Sequence, residues 1–307
     1  MDLSIIIVSW NVKPLLRLCL DSIQRGLEGS GVVAETIVFD NGSADGSPQM
    51  VGEGFPWVCL MKSQVNLGFT KGNNLAIASS EGRYILLLNP DTEVVGDALR
   101  LMGEHMDSHP RVGALGPQLL NPDGSIQSSR RRFPTLATAF IESTPFQPWF
   151  QKGKILQSYY LADRADDETQ YVDWVVGAAL MIRREAWNQV GPLDEGFFMY
   201  SEELDWCYRL KKLGWEVAYL PTAQVMHREG KSSEQVLPTR HIHFQRSKVR
   251  FFKKYYGWKG EVLRWFLLSN YLYLLLLEGF KCLLGHKRPL RRGRISAYWQ
   301  LLCSGLR

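Results

Sequence analysis

Short apolar runs alternate with polar, turn-rich segments along the chain. Residues 3–8 form a nearly continuous apolar run rich in β-branched side chains, which predicts a strand covered on both faces of a parallel sheet. Pro14 then suits a first helical turn, and the residues that recur at helical spacing are Leu15, Leu18, Cys19, Ser22 and Ile23. A second strand predicted over residues 36–40 completes a βαβ unit.

Later segments continue this alternation of strand and turn. Residues 83–88 predict a third strand, which ends before Asp91 because Pro90 lacks the N–H donor that a sheet ladder needs. Residues 127–170 have weak periodicity and several prolines, so they predict a loop-rich flap over the site. The apolar pattern resumes over residues 173–182, and the other predicted elements are a helix over 201–213 and a strand over 216–220.

Carboxylates follow the predicted strands at the points where the strands end. Asp40 closes the second strand, and Asp91 and Glu93 follow the third. Ligands of open α/β sheets bind at the carboxyl ends of the strands. Asp91 and Glu93 would point the same way in extended backbone, so they could bind one hard cation. The structural alternatives are a turn closed by the side chain of Asp40 and a helix N-cap at Asp91.

A second acidic group lies at the start of the helix predicted over 201–213. Glu202, Glu203 and Asp205 are favoured there by the helix dipole alone. The aromatic residues and methionine at 197–200, however, would form an apolar wall that raises a carboxylate pKa toward that of a useful base. Glu203 is therefore the candidate base.

His227 follows the strand predicted over 216–220, where its imidazole could join carboxylates in a metal site. A histidine kept for structural reasons is the alternative for this position. His105 and His109 lack the glutamate of a zinc protease motif, so we interpret them as part of a solvated helix face.

Several catalytic motifs are absent from the sequence. It contains no Walker A motif, no strand-associated GxGxxG, no GxSxG and no paired CxxC. These absences argue against P-loop NTPases, dinucleotide enzymes, α/β-hydrolases and zinc ribbons. Acid–base chemistry with a metal ion is the chemistry that remains.

The charge of the chain is unevenly distributed. The net charge is +5, yet residues 240–307 contain fifteen Lys and Arg against two acids, so this tail carries +13 and the remainder −8. The longest uninterrupted apolar run in the tail is shorter than the ~20 residues of a membrane span. Aromatic residues and basic flanks instead predict an interfacial or re-entrant helix on an anionic leaflet. A helix packed on the globular domain is the alternative, and interleaved leucines disfavour nucleic acid as a partner.

The length of the chain limits the number of domains, and its cysteine content indicates the redox compartment. A chain of 307 residues with 45% hydrophobic content can form one large domain with an appendage. Its five cysteines are scattered, and no signal-peptide pattern opens the chain, so a reducing cytosol is predicted. We predict a domain over residues 1–239 and a helical tail over 240–307.

In their order along the chain, these segments resemble the inverting glycosyltransferase family 2, from residue 3 to about residue 250. The resemblance implies an α/β fold of GT-A type, a Rossmann-like mixed sheet flanked by helices, followed by a membrane-associating helical tail. By motif wording, the sequence is most similar to rhamnosyltransferase-like members that build bacterial surface polysaccharides. The segments that carry the resemblance are residues 4–11, 40–47, 66–74, 88–93, 177–184 and 200–206.

The resemblance implies a role for each motif residue. Glu203 would be the catalytic base, with Glu202 and Asp205 orienting it, and Asp91, Glu93 and His227 would hold Mg²⁺ or Mn²⁺. Glu93 and Glu203 stand where the family usually has aspartate, so each carboxylate is one methylene longer. The residues implied in nucleotide-sugar binding are Ser9, Asn11, Asp40, Asn66, Gly68, Phe69, Lys71, Asn73, Asn89 and Asp91.

The reaction implied is transfer from a UDP- or dTDP-sugar, dTDP-rhamnose among them, to a glycan or polyprenyl-linked acceptor with inversion. Residues 127–170 would then be a flap on the acceptor side. The expected location is the cytoplasmic face of the plasma membrane, as a peripheral or monotopic protein. Two alternatives remain: sugar-1-phosphate nucleotidyl transfer, for which no Gly-rich triphosphate loop is seen, and a non-catalytic nucleotide-sugar-binding partner in a polysaccharide assembly complex.

Overall fold

The computed structural model describes residues 1–144, 147–150, 153–228, 237–285 and 288–307. The strands are β1 (Leu3–Ser9), β2 (Ala34–Asp40), β3 (Val58–Lys62), β4 (Tyr84–Leu88), β5 (Thr92–Val95), β6 (Val112–Leu120), β7 (Ile126–Gln127), β8 (Arg130–Arg131), β9 (Gln170–Val172), β10 (Trp174–Val175), β11 (Ala179–Arg183) and β12 (Glu216–His227). The helices are α1 (Lys13–Leu27), α2 (Ser47–Gly54), α3 (Phe69–Ala78), α4 (Ala98–Ser108), α5 (Leu136–Glu142), α6 (Gln147–Phe150), α7 (Lys154–Tyr160), α8 (Arg184–Val190), α9 (Glu202–Lys212), α10 (Leu237–Tyr256), α11 (Trp258–Leu283) and α12 (Arg288–Ser304).

The described residues form two compact units. The first contains residues 1–133, 158–198 and 202–228, and the second contains residues 134–157, 199–201 and the chain from residue 237 onward. Residues 134–157 therefore cluster with the C-terminal helices rather than with the sheet. The boundary at residue 240 stays a prediction.

The first unit is built on one mixed sheet with the strand order β3-β2-β1-β4-β11-β6-β12-β5. β1, β2, β3 and β4 run parallel, whereas β11 is antiparallel to both β4 and β6. β12 is parallel to β6 and antiparallel to β5. The predicted α/β fold with a mixed sheet between helices is confirmed.

The buried strands and helix faces explain why the first unit folds in this way. All seven residues of β1 are buried, as expected for a strand covered on both faces. On α1 the buried positions include Leu16, Cys19 and Ile23, which recur at helical spacing, whereas the predicted core residue Leu18 is exposed. These residues join the core formed by the central strands and by α4.

The structure refines two segments of the sequence prediction. The apolar segment 173–182 contains β10 and most of β11, with residues 176–178 outside either strand. The strand predicted to end at residue 220 continues to His227, and its register against β6 shifts between Leu220 and Gln224. Pro221 lies in this shifted segment, which is the kind of irregularity that accommodates a proline within a strand.

The second unit contains the long helices α10, α11 and α12. α11 has 26 residues and, of the described helices, is the one long and apolar enough to cross a membrane by length and composition. Its inner face contacts both neighbours: Gln245 of α10 donates to the Tyr271 hydroxyl at 3.1 Å, and the Tyr271 ring lies 5.7 Å from that of Tyr298 on α12.

Candidate functional site

The carboxyl ends of three parallel strands lie side by side in the first unit. Ser9 ends β1 and is paired in register with Asp40, which ends β2. β4 lies on the other side of β1 and ends at Leu88, just before Asn89. Ser9 and Asp40 are both buried, and within the described residues neither Ser9 Oγ nor Asp40 Oδ1 has a hydrogen-bond partner. Two polar atoms are therefore available to a ligand at this edge.

Hydrogen bonds fix the turn that follows Asp40. Asp40 Oδ2 accepts from the Ser43 N–H at 3.0 Å, so one carboxylate oxygen closes the turn as the structural alternative predicts. Asn11 Oδ1 accepts from the Ala44 N–H at 2.8 Å, and the Asn11 N–H donates to Ser43 Oγ at 2.9 Å. Asn11, with φ 52°, thus supports the turn through both backbone and side chain.

Asn41 holds the segment that precedes α3. Its Nδ2 donates to Asn66 Oδ1 at 3.0 Å and to the Gly68 carbonyl at 3.1 Å. Gly68 has φ 89°, and a Cβ there would lie 2.7 Å from the Phe198 ring, so only glycine fits. The Phe69 N–H donates to the Phe198 carbonyl at 2.9 Å. Asn66, Gly68 and Phe69 are thereby held close to the segment before α9.

The remaining donor-site candidates differ in exposure. Lys71 is exposed on α3, where its ammonium is free to reach an anionic ligand. Asn73 is buried and donates to the Phe69 carbonyl at 2.9 Å, so its amide stabilises the first turn of α3. Asn89 is half-buried, and its carbonyl accepts from Thr92 Oγ1 at 2.6 Å.

Asp91 and His227 come together although they are far apart in the sequence. β5 pairs with β12 so that Thr92 lies opposite His227, which brings the imidazole to the residue before Thr92. His227 Nε2 lies 3.5 Å from Asp91 Oδ1, and both side chains are buried. His227 Nδ1 is 2.8 Å from Gln127 Oε1. This contact can hold the imidazole ring so that the lone pair of His227 Nε2 faces Asp91 and an incoming ligand.

Glu93 is engaged by an arginine instead. Its Oε1 accepts from Arg228 Nε at 3.0 Å and from Arg228 Nη2 at 2.8 Å. No three His, Cys, Asp or Glu side chains in the described part of the chain gather as a metal site. The structure therefore brings together two of the three expected ligands, Asp91 and His227. The third, Glu93, is paired with Arg228 instead.

A buried thiol supports the turn between β4 and β5 from beneath. Cys19 Sγ lies 3.7 Å from the Asn89 carbonyl and 3.8 Å from Thr92 Oγ1. Burial raises the pKa of the Cys19 thiol to about 12, so the sulfur stays protonated and can donate. Ser22 Oγ accepts from the Val94 N–H at 2.9 Å. One face of α1 thus positions the backbone that carries Asp91.

The two glutamates at the start of α9 have different surroundings. Glu202 is buried, and its Oε2 has no hydrogen-bond partner among the described residues. Burial, and secondarily the neighbouring Glu203 charge, raise the pKa of Glu202 well above its ordinary value. Glu203 is half-buried and lies over Gly177, where a Cβ would come within 3.3 Å of its Cγ. Glu203 is thus the more exposed of the two residues, although its Oε2 is buried as well.

The residues before α9 carry backbone strain. Tyr200 and Ser201 have φ 68° and 65°, and neither is a glycine. Left-handed backbone at such residues costs about 1–3 kcal/mol each and is found where the surrounding structure imposes it, often at functional sites. The strain directly precedes Glu202 and Glu203 and sets the direction in which α9 begins.

Asp205 has a structural partner. It is fully buried and its Oδ2 accepts from Arg209 Nε at 2.9 Å, while Arg209 also donates to the carbonyls of Val190 and Pro192, each at 2.8 Å. The ion pair lies within α9, and the bonds from Arg209 to these carbonyls join α9 to the end of α8. Asp205 therefore has the contacts of a positioning residue.

We expect Asp205→Asn to lower the free energy of unfolding by about 2–3 kcal/mol, because it leaves the Arg209 guanidinium without its charged acceptor. Transfer per folded molecule should change far less than it does in a Glu203 variant. Urea titration and single-turnover transfer measure the two effects. A stable Asp205→Asn protein that has lost transfer would place Asp205 in the chemistry instead.

Four residues of this site escaped the sequence analysis. Asn41 follows Asp40 directly, and Arg228 follows His227, so adjacency was a usable signal for both. Gly177 begins a motif segment, but nothing in the sequence indicated its contact with Glu203. Gln127 had no local signal, because its contact with His227 depends on tertiary structure.

Comparison with known proteins identifies the family and the fold. The chain matches the family model described as glycosyl transferase family 2 over residues 4–191. It is 30% identical over 286 residues to an N-acetylglucosaminyl-diphospho-decaprenol L-rhamnosyltransferase of Mycobacterium tuberculosis, covering 87% of this chain and 90% of that protein. It is also 30% identical over 168 residues to rhamnosyltransferase WbbL of Escherichia coli K12, covering 52% and 60% of the two chains. A mannosyltransferase of Pyrobaculum calidifontis, solved with GDP-Man and Mn²⁺, shares the fold with a TM-score of 0.56 at 15% identity, covering 99% and 85%.

Proposed function

Because the chain belongs to glycosyl transferase family 2 and is rhamnosyltransferase-like, we propose that it transfers a sugar from a UDP- or dTDP-sugar to a glycan or lipid-linked acceptor with inversion. dTDP-rhamnose is the donor we favour, and a sugar linked to a polyprenyl diphosphate is the acceptor. The name of the Mycobacterium tuberculosis relative supports rhamnose as the transferred sugar and a polyprenyl diphosphate-linked sugar as the acceptor.

The observation that carries this proposal is the buried pair of Asp91 and His227. The residues come from β12 and from the turn after β4, and their closest polar atoms lie 3.5 Å apart. The free polar atoms of Ser9 and Asp40 lie at the ends of the adjacent strands. A nucleotide-sugar bound along these strand ends would place its base toward Asp40 and its diphosphate toward Asp91.

A divalent ion fits the Asp91 and His227 pair. One carboxylate and one imidazole suit Mg²⁺ or Mn²⁺ when diphosphate oxygens and water complete the coordination. When bound, the ion would offset the charge that develops on the departing nucleoside diphosphate. Arg228 is engaged by Glu93, and the charges of these two side chains offset each other. The Mn²⁺ in the Pyrobaculum calidifontis structure supports a metal on this fold.

The proposed division of labour on α9 follows from burial. Glu203 would accept the proton of the acceptor hydroxyl as the new bond to the anomeric carbon forms and the bond to the diphosphate breaks. Glu202, whose pKa is raised by burial, would orient neighbouring groups rather than act as the base. Inversion follows from a single displacement at the anomeric carbon, and the anomeric configuration of the product, read by NMR, tests it.

We expect Glu93→Gln to change Mn²⁺ affinity much less than loss of Asp91 does, because Glu93 binds Arg228 in the structure. The protein should lose about 1 kcal/mol of stability, the usual scale for a partly exposed ion pair. Electron paramagnetic resonance of Mn²⁺ in the presence of nucleoside diphosphate measures the affinity. A loss as large as that of Asp91→Ala would return Glu93 to the ligand set.

Peripheral or monotopic association with the cytoplasmic face of the plasma membrane belongs to the same proposal. A polyprenyl-linked acceptor is confined to a membrane, and a nucleotide-sugar donor is a cytosolic metabolite in this scheme. The basic, apolar helices of residues 240–307 supply a surface suited to anionic lipid.

The experiment that tests the proposal is a donor panel. UDP-, dTDP- and GDP-linked sugars are incubated with the full-length protein, a polyprenyl diphosphate-linked N-acetylglucosamine acceptor, and Mn²⁺ or a chelator. We expect release of dTDP or UDP that requires both acceptor and metal. Donor binding with no release beyond slow hydrolysis would instead support a non-catalytic nucleotide-sugar-binding partner.

A further inference from the structure

The outward face of α11 is formed by exposed apolar side chains. At about 100° per residue, these side chains fall within an arc of roughly 100° on one side of the helix. Ser269 fills the gap in the middle of the arc and carries no charge. The residues of this outer stripe are Trp258, Val262, Trp265, Leu272, Tyr273, Leu276, Phe280 and Leu283.

The opposite face of α11 is occupied by other parts of the second unit. Arg264 Nε donates to the Gly305 carbonyl at 2.6 Å, and Tyr271 accepts from Gln245 of α10. Near the end of the helix, buried Glu278 pairs with Arg291 of α12 at 2.6 Å. These contacts extend along most of the helix, so the inner face is committed to protein and the outer stripe is the face left for a partner.

The contacts of α11 oppose a membrane-spanning orientation. A span would carry the attached parts of α10 and α12 into the bilayer, together with the buried pair of Glu278 and Arg291 and the exposed Arg292 and Arg294. Several charged groups at that depth carry a large free-energy cost. A helix that is apolar on one side and bound to basic helices on the other instead suits the plane of the interface.

The charge of the tail identifies the partner. Both acids of residues 240–307 are already paired with cations: Glu261 with Lys253 and Arg264, and Glu278 with Arg291 and Arg294. Lys248 pairs with Glu142 of α5, outside the tail, and the tail carries +13 in total. An apolar stripe flanked by basic groups complements a leaflet with anionic headgroups.

We propose that the outer stripe of α11 inserts in plane into an anionic lipid leaflet, with the surrounding lysines and arginines at the headgroups. The inference deepens the proposed function, because it names the surface on which a lipid-linked acceptor would be met. It differs from a membrane span and from a contact between two copies of this chain, both of which the test distinguishes.

The test compares two leucine substitutions on the full-length protein. Leu276→Glu adds one charge to the outer stripe at a position 62% exposed, and Leu213→Glu adds the same charge at a position 55% exposed outside it. Binding is measured by cosedimentation with phosphatidylcholine vesicles containing none or roughly 30% phosphatidylglycerol. Phe280→Glu is a second stripe variant, and far-UV circular dichroism verifies that all variants fold.

We expect the unsubstituted protein and Leu213→Glu to bind the anionic vesicles and to be released by alkaline carbonate. Leu276→Glu and Phe280→Glu should bind at least roughly tenfold more weakly, since each places a charge where an apolar side chain would insert. Binding that survives in both stripe variants would overturn the proposal, as would resistance to carbonate extraction. A dimer that dissociates in Leu276→Glu, measured by sedimentation velocity, would assign the stripe to a second copy instead.

Donor binding separates this inference from the proposed function. Nucleoside diphosphate affinity is measured for the same variants in the absence of vesicles, where the outer stripe should have no effect. Vesicle binding without any transfer in the donor panel would overturn the enzymatic proposal and support the membrane-binding stripe. Transfer to a soluble acceptor without vesicle binding would support the enzymatic proposal and overturn the membrane-binding stripe.

Discussion

Glu203→Gln is expected to lower transfer by roughly 10² or more while the protein still binds its donor, because a general base contributes about 10²–10⁴ in rate. The substitution is nearly isosteric and removes the site that accepts the proton. The contact with Gly177 places the Glu203 side chain beside the loop between β10 and β11, outside the Asp91 and His227 pair. Donor affinity should therefore remain within a few-fold of that of the unsubstituted protein.

Glu202→Gln is the matched control for this prediction. Burial raises the pKa of Glu202 and so favours its neutral form, for which glutamine is a close substitute. Transfer should fall much less than in Glu203→Gln. Donor affinity by calorimetry and single-turnover transfer are measured for both variants. An inactive Glu202→Gln beside an active Glu203→Gln would assign the base to Glu202.

Asp91→Ala is expected to abolish the gain in donor affinity that Mn²⁺ provides. Removal of a group that only supports a metal ligand commonly costs 10–100-fold in metal affinity, so loss of a ligand should cost about that or more. His227→Ala should lower the affinity for Mn²⁺ less than Asp91→Ala does, because the Asp91 carboxylate remains. Calorimetry of nucleoside diphosphate binding with Mn²⁺ or a chelator measures the effect, and Mn²⁺ resonance provides a readout independent of catalysis.

The control for Asp91→Ala is Asp97→Ala, which removes a carboxylate from the exposed start of α4. Asp97 pairs with Arg100 at the surface, where such a pair contributes little to stability. Both variants should fold. Asp97 is an exposed carboxylate, and the turn that contains Asp91 is held by the contacts of Cys19 and Ser22. Thermal melting checks that both variants are folded. Unchanged Mn²⁺ dependence in Asp91→Ala would remove this residue from the proposed metal site.

Local pattern was sufficient to predict much of the first unit. The apolar run at residues 3–8 predicts β1, and the start of α9 at Glu202 lies within one residue of the helix predicted from residue 201. These features depend on side chains close together in sequence, whose periodicity identifies the buried face. The family resemblance added the order of the motifs, and the fold that it implies is confirmed.

The partners of the site residues depended on strand pairing. Asp91 meets His227 because β12 continues beyond Pro221 and pairs with β5, whereas the sequence analysis ended that strand at residue 220. The same pairing brings Arg228 to Glu93, although spacing alone predicted Glu93 beside Asp91. A shift of one residue in register would reverse the face on which each side chain lies.

Residue type and spacing along this chain identify the carboxylates, the glycines and the basic tail, because these are local properties. Burial separates Glu202 from Glu203, an ion pair commits Asp205 to Arg209, and packing leaves one apolar side of α11 outward. The burial of Glu202 and the packing of α11 depend on segments distant in sequence, whereas the Asp205 and Arg209 pair lies within α9 and is tied to a distant segment only through the contacts of Arg209 with the Val190 and Pro192 carbonyls. Desolvation arises from such contacts, so only the folded chain separates the buried Glu202 from the half-buried Glu203 and the exposed side of α11 from its packed side.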